Sequence, residues 1–255
     1  GFYRSAEQIL LEPGSQPRQR LLKLCTLHLA YAMSESDRVA LQSFAQQSGN
    51  NTFSNQTSFL AGPNGERIVA QSRFVHSGTS RAYRVDVTKP DEHELLAQLA
   101  LKEFGRVDFW INNAGIFPFA LAEEITPEQI GATLSVNVEG VLYGAQAAAR
   151  HLGPGGAIVN MSSVSALRVR KGRGAYCTSK AAVAHLTESL AVEFGDKGIR
   201  VNSIAPGYID TAMTKWVQED PIALANALDA VPLHRLGSPE EVFGPLLFLL
   251  SDSAR

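Results

Sequence analysis

From about residue 81 onward, apolar positions alternate between short continuous runs and stripes spaced three and four apart. "RAYRVDV" (81–87) has strand character, and "PDEHELLAQLALKEF" (90–104) has helical spacing behind an acidic first turn. "VDFWINNAG" (107–115) reads as a strand entering a glycine turn. "TPEQIGATLSVNVEGVLYGAQAAARHL" (126–152) reads as helix, with Pro127 suited to a first helical position. A strand "GAIVNMSS" (156–163), a helix carrying Tyr176 and Lys180, a strand "GIRVNSIAPG" (198–207) and a capped helix "SPEEVFGPLLFLLSD" (238–252) complete the series. Strict strand–helix alternation predicts a parallel sheet covered on both faces. The scarcely alternating cores "FWI" and "AIV" agree, since such strands are buried on both sides.

The first eighty residues lack this order. "LEPGSQPRQR" (11–20) reads as a loop, and "QSFAQQSGNNTFSNQTS" (42–58) is polar without a clear period. Residues 59–75 are assigned a short strand, a turn and a helix. Two cysteines, Cys25 and Cys177, form no CxxC motif, which points to a reduced, cytoplasmic setting with no metal site built on cysteine. A net charge of −2 gives no basic surface for nucleic acid. No apolar run reaches the roughly 20 residues of a membrane span. "LCTLHLAYA" follows a basic flank as a signal peptide would, but His28 interrupts it. Met33 opens "MSESDRVAL" like a natural start, so residues 1–33 are expected to be an extension. The Asn-x-Thr matches at Asn50 and Asn55 carry no meaning in a cytoplasmic protein.

Tyr176 and Lys180 stand four residues apart and so share one helix face. An ammonium about 5 Å from a phenol, at an effective dielectric of about 20, favours phenolate by about 3 kcal/mol, or about two pH units. That shift would bring a tyrosine toward proton transfer near neutrality. Tyr-x-x-x-Lys arises often by chance, so its surroundings must decide. Ser163 ends a buried strand 13 residues upstream, where ligands of parallel sheets bind. Its hydroxyl can polarise a substrate carbonyl, or simply bond its own backbone. "NNAG" (112–115) and "APGYIDT" (205–211) end the flanking strands with small residues that admit a ligand closely. Asn137, in an otherwise apolar helix, is expected to satisfy backbone or water at a distorted turn.

With "DVT" (86–88), "NNAG", the Ser-Tyr-Lys spacing, "PGYIDT" and "PLHRLGSPEEV" in order, residues 81–252 resemble the compact branch of the short-chain dehydrogenase/reductase family. The resemblance implies a single-domain Rossmann-like α/β fold over 34–255, a doubly wound parallel sheet in three α/β/α layers. It implies an NAD(P)-dependent oxidoreductase interconverting a secondary alcohol and a ketone. Tyr176 matches the family's general acid/base, Lys180 the residue that lowers the phenol pKa and grips the nicotinamide ribose, and Ser163 the carbonyl-polarising group. Asn137 matches the asparagine that holds a relay water. Asp86 and Val87 resemble adenine contacts, Asn113, Ala114 and Gly115 line the adenosine ribose, and Pro206, Gly207, Ile209 and Thr211 match the loop that fixes the nicotinamide. Residues 212–235 correspond to the substrate lid. Relatives commonly pair through the helices carrying Asn137 and Tyr176, which implies a homodimer or homotetramer.

The ends depart from the family pattern. "DRVAL" (37–41) resembles the first strand, yet the glycine triplet that should cradle the cofactor pyrophosphate is missing before residue 100. "FLAGPNGERIVAQ" resembles the second strand and its helix. Gly62-Pro63-Asn64 stands where an acidic residue would favour NAD, and the nearby Arg67 tilts the expectation to NADP(H). The family's last strand is expected to be absent beyond Arg255. The missing loop leaves one rival reading, a non-catalytic relative that keeps the fold; an epimerase or dehydratase of the larger sister families is a further alternative, which the length and "NNAG" disfavour.

Overall fold

The computed structural model describes residues 70–76 and 79–255. Strands β1 (Ala70–His76) and β2 (Thr79–Val85) form an antiparallel hairpin, pairing Ala70 with Val85 and His76 with Thr79. This corrects two expectations. Residues 70–75 are strand rather than helix, and the segment beginning at 81 belongs to the hairpin, not to the parallel sheet. The sequence signal for a hairpin is the Ser77-Gly78 pair between two runs containing aromatic and β-branched residues. The phosphate-cradle question, the strand at "DRVAL", Arg67 and the extension 1–33 all lie outside the described residues.

Helix α1 (Pro90–Phe104) starts with proline and two acids, which suit the positive end of a helix dipole, and stops at Gly105 in the left-handed region (φ 76°). Strands β3 (Val107–Asn112), β4 (Leu152–Met161) and β5 (Arg200–Ile204) form a parallel sheet in that order. Between β3 and β4 run α2 (Pro127–Leu134), a π-helical turn (Ser135–Glu139) and α3 (Gly140–His151). A reciprocal capping box between Thr126 and Gln129 starts α2. Helix α4 (Gly174–Gly195) joins β4 to β5. Two short helices, α5 (Lys215–Glu219) and α6 (Pro221–Asp229), occupy the expected lid, and α7 (Phe243–Leu250) follows.

Successive strand residues alternate faces. Phe109, Ile111, Ala157 and Val159 pack on Leu246 and Leu250 of α7, while Trp110, Ile158 and Val201 join the core formed with α1, α3 and α4. The described sheet is thus covered on both faces, as its apolar strands require. Among the described residues, no helix is long and apolar enough to cross a membrane.

Buried amides tie the layers together. Asn112 accepts a hydrogen bond from Trp110 Nε1 (2.9 Å) and donates to Val141 O (3.2 Å) and Asn160 Oδ1 (2.8 Å). Asn160 donates to Thr187 Oγ1 at 3.0 Å, and Thr187 donates to Val183 O at 2.7 Å. Helix α3 can lie this close because it presents Gly144, where a Cβ would overlap the Asn112 amide.

Candidate active site

The carboxyl ends of β3, β4 and β5 converge on one place. Just past β4, Ser162 N donates to Ile204 O (2.8 Å) and Val164 N to Pro206 O (3.0 Å), which holds the Ser163 segment against the Pro206–Gly207 loop. Ser162 Oγ donates to Lys180 O at 2.9 Å, docking the Tyr176 helix on the same strand end. Ser163 is buried with extended backbone, and its hydroxyl accepts from Ser165 N at 3.1 Å. The local backbone bond anticipated for a strand-end serine therefore exists, and the same hydroxyl also acts on the Tyr176 phenol.

Lys180 is 4 % exposed, and its ammonium donates to Met161 O at 2.7 Å. Burial pulls its pKa down to about 8. Its Nζ lies 5.8 Å from the centroid of the Tyr176 ring. The expected depression of the phenol pKa by lysine is not found. Burial pushes the Tyr176 phenol above its usual value, with Ser163 and the Arg173 charge opposing that rise. The reason is physical: the α4 face carrying both groups is desolvated, and Lys180 is turned toward the Met161 carbonyl.

Asn137 lies in the π-helical turn and is fully buried. Its Oδ1 accepts from Ile116 N (2.7 Å), and its Nδ2 donates to Ile116 O (3.0 Å) and Ser179 Oγ (2.9 Å). Backbone satisfied at a distorted turn is what the propensity argument anticipates. Ser179, which the sequence reading did not single out, donates to Tyr176 O at 2.7 Å and so joins Asn137 to the tyrosine helix. Removing the amide strands both polar groups of Ile116, at about 1–3 kcal/mol each. Asn137→Leu should lower unfolding free energy by about 2–6 kcal/mol in urea titration; a loss below about 1 kcal/mol would remove this clamp from the account.

Gly115 fits between these groups, since a Cβ there would stand 3.2 Å from Lys180 Nζ and 3.4 Å from Asn137 Oδ1. Asn113 and Ala114 lead into it from β3. Asp86 and Val87 lie one element away. Thr88 donates to the Asp86 carboxylate through its backbone N–H (3.0 Å) and its hydroxyl (2.7 Å). Val87 is buried, and its carbonyl accepts from His93 Nε2 at 2.9 Å. Ile209 and Thr211 lie further along the Pro206 loop, bridged to Gly237 and bonded to Thr214 respectively. A hollow of about 550 Å³ lined by Gly155, Gly198 and Arg200 opens at the other ends of the strands and contains none of these residues.

A second group was not legible in the sequence. Phe117 meets the Tyr176 ring edge-on (4.9 Å between centroids) and stacks with Trp216 at 6.2 Å. Arg173 lies over Phe117 (5.3 Å) and Trp216 (5.8 Å), and Arg170 and Arg173 each donate to the Tyr208 hydroxyl at 3.0 Å. Its residues come from four separate segments, so only the fold shows the cluster.

The cluster around Tyr176 can be set beside known proteins. Residues 60–255 match a family model described as enoyl-(acyl carrier protein) reductase. The chain is 37% identical over 194 residues to L-rhamnose 1-dehydrogenase (NAD(P)(+)) of Azotobacter vinelandii, covering 75% of this chain and 76% of that one. The chain belongs to the short-chain dehydrogenase/reductase family. As a member of it, the chain is an NAD(P)-linked oxidoreductase of the kind acting on CH–OH or carbonyl groups, with a Rossmann-like α/β fold. It is also 37% identical over 174 residues to a 3-oxoacyl-acyl-carrier-protein reductase of Thermotoga maritima, covering 68% of this chain and 70% of the relative. Among solved structures, a short-chain dehydrogenase/reductase of Mycobacterium marinum matches with a TM-score of 0.63 at 37% identity, covering 67% and 68% of the two chains. A gluconate 5-dehydrogenase of Burkholderia cenocepacia in complex with NADP and tartrate matches at 0.64 and 30% identity, covering 66% and 67%.

Proposed function

We propose that this chain interconverts a secondary alcohol and a ketone, with Tyr176 as general acid/base. The observation that carries the proposal is the convergence of Ser163, Tyr176 and Lys180 at the strand ends, with Lys180 buried as a cation. The residues fit a nicotinamide nucleotide. Among the described residues, Met161 O is the one acceptor bonded to the buried ammonium, so its other donors suit ribose hydroxyls, and Gly115 keeps the adjoining space open. The nicotinamide, when bound, supplies or accepts the hydride. Ser163 orients the substrate oxygen, Tyr176 gives it a proton in reduction and takes one in oxidation, and Lys180 holds the ribose. Asn137, held by Ile116 and Ser179, orders the water relay that, running through Lys180, returns to the Tyr176 phenol the proton it gives in reduction and carries it away in oxidation. Asp86 and Val87 take the adenine end, Asn113, Ala114 and Gly115 the adenosine ribose, and Pro206, Gly207, Ile209 and Thr211 the nicotinamide end.

We propose NADP(H) over NAD(H), on Arg67 and on Gly62-Pro63-Asn64 standing where an acidic residue would favour NAD, in a cytoplasmic homo-oligomer. The relative of Azotobacter vinelandii is named for either nucleotide, and the Burkholderia cenocepacia structure holds NADP. A second reading, a non-catalytic relative, rests on the missing glycine triplet before residue 100. Nicotinamide fluorescence titration separates the two. Binding of NADPH at least about tenfold tighter than NADH is expected. No response to either nucleotide at millimolar concentration would sink the enzyme reading of this chain, and a preference for NADH would reverse the cofactor assignment.

A further inference from the structure

The segment "RVRKGR" (168–173) places four cations in six residues directly before the helix of Tyr176, in a chain whose net charge is −2. Arg168, Arg170 and Lys171 are exposed and Arg173 is half-buried. None of the ion pairs among the described residues involves any of them. Arg170 and Arg173 are instead drawn to one point, because both donate to the same Tyr208 oxygen at 3.0 Å. Two like charges sharing one neutral acceptor repel each other, and a guanidinium has five N–H donors, most of them left for another partner.

The place is held firmly. Ala120 N donates to Gly172 O at 3.1 Å, and Ala120 bridges to Arg173, which fastens the loop after β3 to the base of α4. The Arg173 charge is close enough to act on the Tyr176 phenol. Phe117 contacts both, meeting the Tyr176 ring edge-on and lying under the Arg173 guanidinium. Trp216, 39 % exposed, extends this aromatic wall outward from the lid.

We infer that Arg170 and Arg173 form an anion subsite beside Tyr176, so that the substrate is an anionic alcohol or ketone whose carboxylate or phosphate they hold while its body lies on Phe117 and Trp216. The inference rests on Tyr176 being the reacting end of the site. Guanidinium pairs bind both anions through paired N–H donors, and the aromatic wall admits a flat or apolar substrate body. The exposed cations beside the pair raise the local concentration of anions at the mouth.

Calorimetric titration with acetophenone, its 4-carboxylate and its 4-phosphate ester, with and without NADP⁺, tests the inference without reading turnover. Both anions, or one of them, should bind at least about tenfold more tightly than the neutral ketone, which also identifies the preferred anion. The preference should vanish in the Arg170→Gln/Arg173→Gln double variant and shrink as salt rises from about 0.02 to 0.5 M. Equal affinity for the three ligands overturns the inference, as does a preference that survives in the folded double variant. If that variant does not fold, the salt series on the unaltered protein decides, and a salt-insensitive preference overturns it. Binding of the acids by a chain that reduces nothing would defeat the reading of Tyr176 and leave the subsite standing. Reduction of neutral ketones with no charge preference would do the reverse.

Discussion

Replacing Tyr176 with phenylalanine is expected to cut carbonyl reduction by about 10²- to 10⁴-fold while leaving nicotinamide affinity within about twofold. The ring would stay in place, because its edge contact with Phe117 needs no hydroxyl and Ser179 bonds the Tyr176 backbone. Only the proton donor is lost. Burial holds the phenol above its usual pKa, so in the folded chain it keeps its proton through neutral pH, the form that the proposed role as proton donor to a carbonyl oxygen requires. Reduction should therefore be flat with pH below about 8, and the oxidative direction, which needs the phenolate, should rise as pH rises. Single-turnover absorbance of NADPH alongside a fluorescence binding titration checks both halves. Turnover within about fivefold of the unaltered protein would take the proton step away from Tyr176.

Lys180→Met is expected to do two opposed things: abolish measurable turnover, and make the chain without cofactor more stable. Burial lowers the lysine pKa from 10.5 to about 8. Below pH 8 the folded state carries a desolvated cation, and between 8 and 10.5 the unfolded chain holds more protons, so stability rises with pH across that window. The cost at neutral pH is roughly 3 kcal/mol. Methionine removes the charge with little change of shape but leaves Met161 O unpaired, which takes back about 1–2 kcal/mol. A net gain of about 1–2 kcal/mol, or about 2–8 °C in Tm, should remain at pH 7 and disappear above about pH 10. An unchanged or lowered Tm would show that Lys180 is held without cost. In the unaltered protein, nicotinamide affinity should weaken as pH rises through about 8, when the ammonium loses its proton. Buried in this way, Lys180 reads as a group held at a loss of stability for the sake of a ligand.

Much of this was readable in the sequence because the informative signals were local. The period of "PDEHELLAQLALKEF" gives α1, its proline and acids give its start, and Gly105 gives its end. Asn137 stood out as a poor helix former among apolar neighbours, and it occupies a π-helical turn. The hairpin is less readable, since residues 70–76 carry no strict alternation that would set a strand apart from a helix. The sense of the Tyr176 shift is not legible in sequence, because charge spacing along a helix is visible there, whereas the depth at which two groups are buried is not. The arginine and aromatic group was invisible for a different reason. Its members lie on the β3–α2 loop, before α4, after β5 and in α5, and no spacing rule connects them.

The asparagine chain across the core bears on how the sheet finds its alignment. A slip of β3 along β4 by one residue would turn Phe109 and Ile111 away from α7, so the apolar pattern alone forbids odd errors. A slip by two would restore that pattern and pass unnoticed by hydrophobicity. It would, however, part Asn112 from Asn160, which stand opposite each other in the native pairing, and leave two buried amides without each other. The apolar residues therefore act as a parity check on the strands, and the amide pair reads the remaining digit.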